Sequence, residues 1–140
     1  MRRLRNWDSL LDREIEDARS RPFAWGTHDC ALWAANAVRE ITGEDIAAPY
    51  RGRYSTAAGA TRALKRYGGG DLVTAATQAL GNPVPVARAK RGDMVLVPEG
   101  PIEAAALGII GLSGTVIHLA SHDGLLDLPR RVAGLAWGVG

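Results

Sequence analysis

Cys30 is the only cysteine in 140 residues, and it stands at the end of FAWGTHDC, directly before the apolar run ALWAANAV. A thiol at a helix N-terminus meets unpaired backbone N–H groups and the positive end of the helix dipole, which favour the thiolate. To act as a nucleophile it also needs a base, usually histidine, held by a third polar group. The chain offers three histidines: His28, two residues upstream; His118, inside an apolar run; and His122, beside Asp123. His118 and His28 are the candidate bases, whereas His122 reads most simply as turn chemistry. The bland alternatives are a small buried hydrophobe for Cys30, an N-cap for Asp29 and a hydrogen-bonded sheet histidine for His118.

Cysteine and histidine are also metal ligands, but no pair here has a recognised zinc spacing, so neither metal nor cofactor is expected. Candidate binding residues are Trp25, Gly26 and Asp29 around the cysteine, and Arg51 and Tyr54 in the run Tyr50-Arg51-Gly52-Arg53-Tyr54. Arginines beside tyrosine can hold a carboxylate or phosphate. The simpler reading is an exposed loop held by tyrosine stacking. Trp7, Trp25, Trp33 and Trp137 are core or pocket-wall residues by default.

Several elements must position these groups. Asn6 or Asp8 caps a first helix in which Trp7, Leu10, Leu11, Ile15 and Ala18 recur at helical spacing, and Pro22 lies beyond its end. Gly26 lets the following loop turn, Asp29 caps a central helix that begins with Cys30, and Gly43 ends it. Ser55 opens a third helix to about Tyr67. After the glycines at 68, 69 and 70, Asp71 opens a fourth over Leu72 to Leu80. Beyond Arg91 the pattern turns to short apolar or alternating runs: Met94 to Val97, Ala105 to Leu112, Thr115 to Ala120, Gly124 to Leu128 and Leu135 to Val139. Ser113 and Gly114 suggest a tight hairpin between two of them. Helices followed by an antiparallel sheet form an α+β order within one domain, residues 1–140.

Composition agrees with a globular chain: 46% hydrophobic, 23% charged and a formal net charge of +2. Nothing in it calls for nucleic acid or for membrane insertion. Arg2, Arg3 and Arg5 imitate the start of a signal peptide, but Asp8, Asp12, Arg13 and Glu14 interrupt the apolar stretch that would have to follow.

Three blocks of this sequence resemble the NlpC-type cell-wall cysteine peptidases, compact papain-like domains that cleave peptidoglycan stem peptides. The aromatic-x-W-G…D-C block matches at Phe23, Trp25, Gly26, Asp29 and Cys30. R-G-D before an apolar strand matches at Arg91, Gly92 and Asp93. The H-V-G-I hairpin matches as Ala106, Leu107, Gly108, Ile109, then Val116, Ile117, His118. The resemblance implies a papain-like fold with helices packed on a C-terminal antiparallel sheet. It also places Ala106 where the family has its base, keeps His118 at the position that orients the base, and puts Ala31 where serine usually follows the cysteine. General-base catalysis is worth about two to four orders of magnitude, so the alanine predicts a poor enzyme.

More narrowly, the chain resembles a group of small phage and prophage proteins that share F-x-W-G-x-x-D-C, R-G-x-Y, R-G-D, A-L-G-I, D-G-L and a closing A-W. In that group alanine at the base position is usual. The resemblance implies a protein of the phage tail, made in the host cytoplasm, carried in the virion and placed to reach the periplasm. Its partners would be other tail proteins and a peptidoglycan peptide. Two functions follow. One is a degenerate peptidase fold serving as a structural or binding module of the tail. The other is an active peptidase with Cys30 as nucleophile, and His118 or His28 as base.

Overall fold

The computed structural model describes residues 1–101 and 104–140, and their arrangement is α+β. Four helices, α1 (Trp7–Ala18), α2 (Leu32–Thr42), α3 (Ala57–Tyr67) and α4 (Leu72–Leu80), precede five strands. The strands are β1 (Met94–Val97), β2 (Ala106–Ile110), β3 (Val116–Ser121), β4 (Gly124–Pro129) and β5 (Leu135–Trp137). They form one antiparallel sheet in the order β4-β3-β2-β1-β5.

Local chemistry accounts for most helix ends. Asp71 accepts from the Thr74 amide at 2.7 Å, and Thr56, one residue beyond the expected Ser55, accepts from the Gly59 amide at 3.0 Å. Gly43 takes the left-handed conformation that closes α2. The start of α2 differs from expectation: the regular helix begins at Leu32, so Cys30 and Ala31 lie in the turn before it. The hairpin between β2 and β3 is also wider than a two-residue turn, since the Gly111 amide bonds the Val116 carbonyl around it.

Strand alternation divides the core between the two faces of the sheet. On one face Met94, Leu107, Ile109, Ala120 and Trp137 pack against α1 and α2 through Leu11, Ile15, Trp33, Val38 and Ile41. On the other, Val95, Ala106, Ile110, Ile117 and Leu119 are covered by Val84, Val86, Val132 and Ala133. Residues of α2 are buried along nearly its whole length, which makes it the central helix. Among the described residues no helix is long and apolar enough to cross a membrane.

The R-G-D segment joins the two ends of the chain. The buried Asp93 carboxylate accepts from Arg3 Nη2 at 2.9 Å, from the Val139 amide at 3.0 Å and from the Lys90 amide at 2.9 Å. At Gly92, whose φ is 86°, an added Cβ would press into the Arg3 guanidinium. Replacing Asp93 leaves the Val139 and Lys90 amides without their acceptor and takes the carboxylate from the partly buried Arg3 guanidinium, which keeps only the Val139 and Arg91 carbonyls. Asp93→Ala is therefore expected to lower unfolding free energy by roughly 3 kcal/mol, read by urea denaturation. A loss below about 1 kcal/mol, the level of an exposed pair, contradicts this role.

Candidate functional site

Asp29 assembles the site. Its side chain is 1% exposed, and both oxygens are fully engaged. Oδ1 accepts from the amides of Ala31 at 3.0 Å and Leu32 at 2.9 Å, so the expected cap exists, applied to the turn that leads into α2. Oδ2 accepts from the Gly26 amide at 3.0 Å and from the Tyr54 hydroxyl at 2.6 Å. One carboxylate thus ties the glycine loop, the cysteine turn and the Arg-Gly-Arg-Tyr loop. Gly26, with φ 86°, fits because its missing side chain leaves room for the Tyr54 carbonyl, and the Gly52 amide bonds the Gly26 carbonyl at 2.9 Å.

Around this knot lies a cavity of about 480 Å³. Trp25, Cys30, Tyr50 and Tyr54 form one wall; Leu64 of α3, Leu72 and Ala76 of α4, and Met94 and Leu107 of the sheet form the rest. The lining is mostly aliphatic and aromatic, a usual composition for a ligand pocket. Among the described residues Asp29 is the acidic group in it, and its oxygens are already taken.

Cys30 is half-buried, and the Leu107 amide bonds its carbonyl at 2.8 Å, docking the cysteine turn on β2. Burial pushes the thiol up from 9.0 to about 12, and the negative charge of Asp29 adds to the effect. The expected helix-dipole activation is outweighed, because α2 starts two residues later and little water remains to solvate a thiolate.

The histidines separate. His118 Nδ1 lies 2.7 Å from Asp127 Oδ1, and its ring packs so closely over Gly111 that a Cβ there would strike Nε2. Gly111 is four residues along the β2 chain from the Leu107 docking point, roughly 13 Å at strand rise. His118 shares a sheet face with its partner Ile109, whereas Ala106 belongs to the opposite face, where Cys30 also packs. The proposed base and orienting positions therefore do not face each other. Burial and the charge of Arg21 lower the pKa of His28, which is 3% exposed. Neither of its ring nitrogens has a partner among the described residues, and it does not line the cavity.

His122, read from sequence as turn chemistry, is the histidine that shares the cavity with Cys30. Its ring packs 4.8 Å from Phe23, which meets Trp25 edge-on at 5.0 Å. The local sequence held no signal for this; the β3–β4 hairpin brings His122 there. Arg51 is withdrawn from ligand binding. Its guanidinium grips Asp45 at 2.9 and 3.0 Å and Asn36 Oδ1 at 2.7 Å, and this hydrogen bonding holds the Asp45 carboxyl below its usual range. Tyr54 serves the site through Asp29; burial, then that hydrogen bond, push its phenol pKa upward. Among the described residues no group of three or more His, Cys, Asp or Glu is placed to hold a metal.

Residues 2–139 match a family described as Domain of unknown function (DUF6950). The chain belongs to that family. No curated protein matches it. Membership of DUF6950 spans the whole arrangement above, from Arg3 at the Asp93 clamp to Val139 at the same carboxylate.

The thiol makes a direct test. A pKa raised in the folded state means that the fold holds the proton more tightly than the unfolded chain does. The stability from this group is complete below the unfolded value and is lost as pH rises through about 12. At pH 8, iodoacetamide should label native Cys30 about a thousandfold more slowly than the urea-unfolded chain, with the native rate still climbing above pH 10. Equal rates at pH 8 contradict a buried, protonated thiol.

Proposed function

We propose that the chain is an NlpC-like, papain-type domain of a phage tail in which the peptidase site serves as a binding module. It holds a cell-wall peptide or a segment of a neighbouring tail protein without cutting it. The papain-type reading is supported by the order of parts: a cysteine turn leading into a buried helix, docked on an antiparallel sheet that the R-G-D segment enters. The tail association is supported by the shared F-x-W-G-x-x-D-C, R-G-x-Y and A-L-G-I segments.

One observation carries the binding reading. Cys30 opens on an apolar cavity with its thiol pushed up to about 12, while the histidine at the family's orienting position is paired with Asp127 away from that cavity. A protonated thiol whose expected histidine is engaged elsewhere is a poor nucleophile. The cavity itself remains open to an apolar side chain. The alternative, an active peptidase, is favoured by the presence of His122 in the same cavity.

Purified peptidoglycan separates the two. The parent and Cys30→Ala proteins should sediment with it, or with purified tails, to the same extent, and neither should release new amino groups above background. Cys30-dependent release of stem peptides contradicts the binding reading and supports the peptidase. Mass spectrometry of purified virions should find the protein in the tail fraction; its absence there removes the tail assignment.

A further inference from the structure

A second cleft, of about 580 Å³, lies between the 53–56 segment and α3, on the far side of Tyr54 from the Cys30 cavity. Its walls carry Arg53, Arg62 and Arg66, together with Ser55, Thr56 and Tyr67. Among the described residues none of the three guanidiniums has an ion pair or a side-chain hydrogen bond, and no acidic side chain lines the cleft. This differs from Arg51, two residues from Arg53, which is fully engaged with Asp45 and Asn36.

The arrangement has a local cost. Arg62 and Arg66 are four residues apart on α3, a spacing at which like charges repel, and Arg53 adds a third positive charge from the facing loop. Helix spacing divides α3 between two sites. Ala57, Ala60, Thr61 and Leu64 face the apolar cavity, whereas Gly59, Arg62, Ala63 and Arg66 face the cleft. Gly59 lets the 53–56 segment pack closely on α3, since a Cβ there would run into the Tyr54 side chain at 2.8 Å. Thr56 accepts the Gly59 amide through Oγ1, which leaves its hydroxyl proton free to donate outward.

We propose that this cleft is a binding site for the doubly charged phosphate group of a phosphorylated ligand. A carboxylate carries one charge and two oxygens. Three guanidinium forks and two hydroxyls supply more charge and more donors than it can use. A phosphate monoester carries a charge of about −1.5 to −2 and three acceptor oxygens, which such an arginine cluster matches. The site is separate from the Cys30 cavity, so its existence does not depend on whether that cavity binds or cuts.

The test titrates the full chain, labelled with nitrogen-15, with inorganic phosphate and, separately, with glycerol phosphate at constant ionic strength. Acetate is the control. The expected result is saturable movement of the Ser55 and Thr56 amides and the Arg53, Arg62 and Arg66 Nε–H signals, by at least one phosphate probe and not by acetate. Saturation by glycerol phosphate alone identifies an esterified phosphate as the ligand, and saturation by both a free or esterified one. The double variant R62Q/R66Q, at exposed positions, should keep the parent's melting temperature and weaken binding about tenfold or more. Failure of both phosphate probes to saturate by about 20 mM, acetate binding as well as phosphate, or parent-like affinity in R62Q/R66Q overturns the proposal.

Discussion

The buried Asp29 carboxylate is the constraint on which the site depends. A carboxylate at 1% exposure is costly unless its oxygens are satisfied, and here four donors from three segments satisfy them. Each donor fixes something different. The Ala31 and Leu32 amides set where α2 begins, the Gly26 amide sets the approach of the aromatic loop, and the Tyr54 hydroxyl draws in the segment that separates the two clefts. Removing any one of them leaves the carboxylate under-bonded, so the three segments are coupled more tightly than their separate contacts suggest.

The same knot decides the state of the cysteine. Two effects compete at Cys30: proximity to the start of a helix favours the thiolate, and burial beside Asp29 disfavours it. The helix effect is worth about 0.3–2 kcal/mol and fades beyond the first turn. The rise from 9.0 to about 12 corresponds to roughly 4 kcal/mol against the thiolate. Burial prevails. A turn that would expose a nucleophile in an open site here presents a neutral sulfur to an apolar cavity, which supports the proposed binding role.

Much of the fold was legible because its signals are local. Asp71 capping α4, Gly43 closing α2 and the five apolar runs after Arg91 each depend on a few adjacent residues, and all appear in place. The site was less legible because it depends on register and on long-range partners. Whether Ala106 faces His118 is a question of strand parity, and pairing Ile109 with His118 puts the two on opposite faces. His122 enters the cavity through a hairpin that no local pattern aims. The R-G-D segment does lead into β1, as its pattern indicates, but no local signal showed that its aspartate also clamps Arg3 and Val139, at opposite ends of the chain. Likewise, Arg51 and Arg53 are nearly adjacent and alike in sequence. Only the position of Asp45 and Asn36 shows that the first is structural, while the second has no ion-pair partner among the described residues.

The most direct measurement is the alkylation rate of Cys30 in Tyr54→Phe against the parent, at one pH and with the overall fold checked by circular dichroism. Losing the hydroxyl that bonds Asp29 at 2.6 Å removes one donor and adds no bulk. A hydrogen bond to a charged group contributes about 1.5–3 kcal/mol, so local opening around the thiol should become roughly tenfold or more easier, and labelling faster in proportion. An unchanged rate would contradict the claim that the Asp29 knot holds Cys30 buried and protonated at the cavity wall.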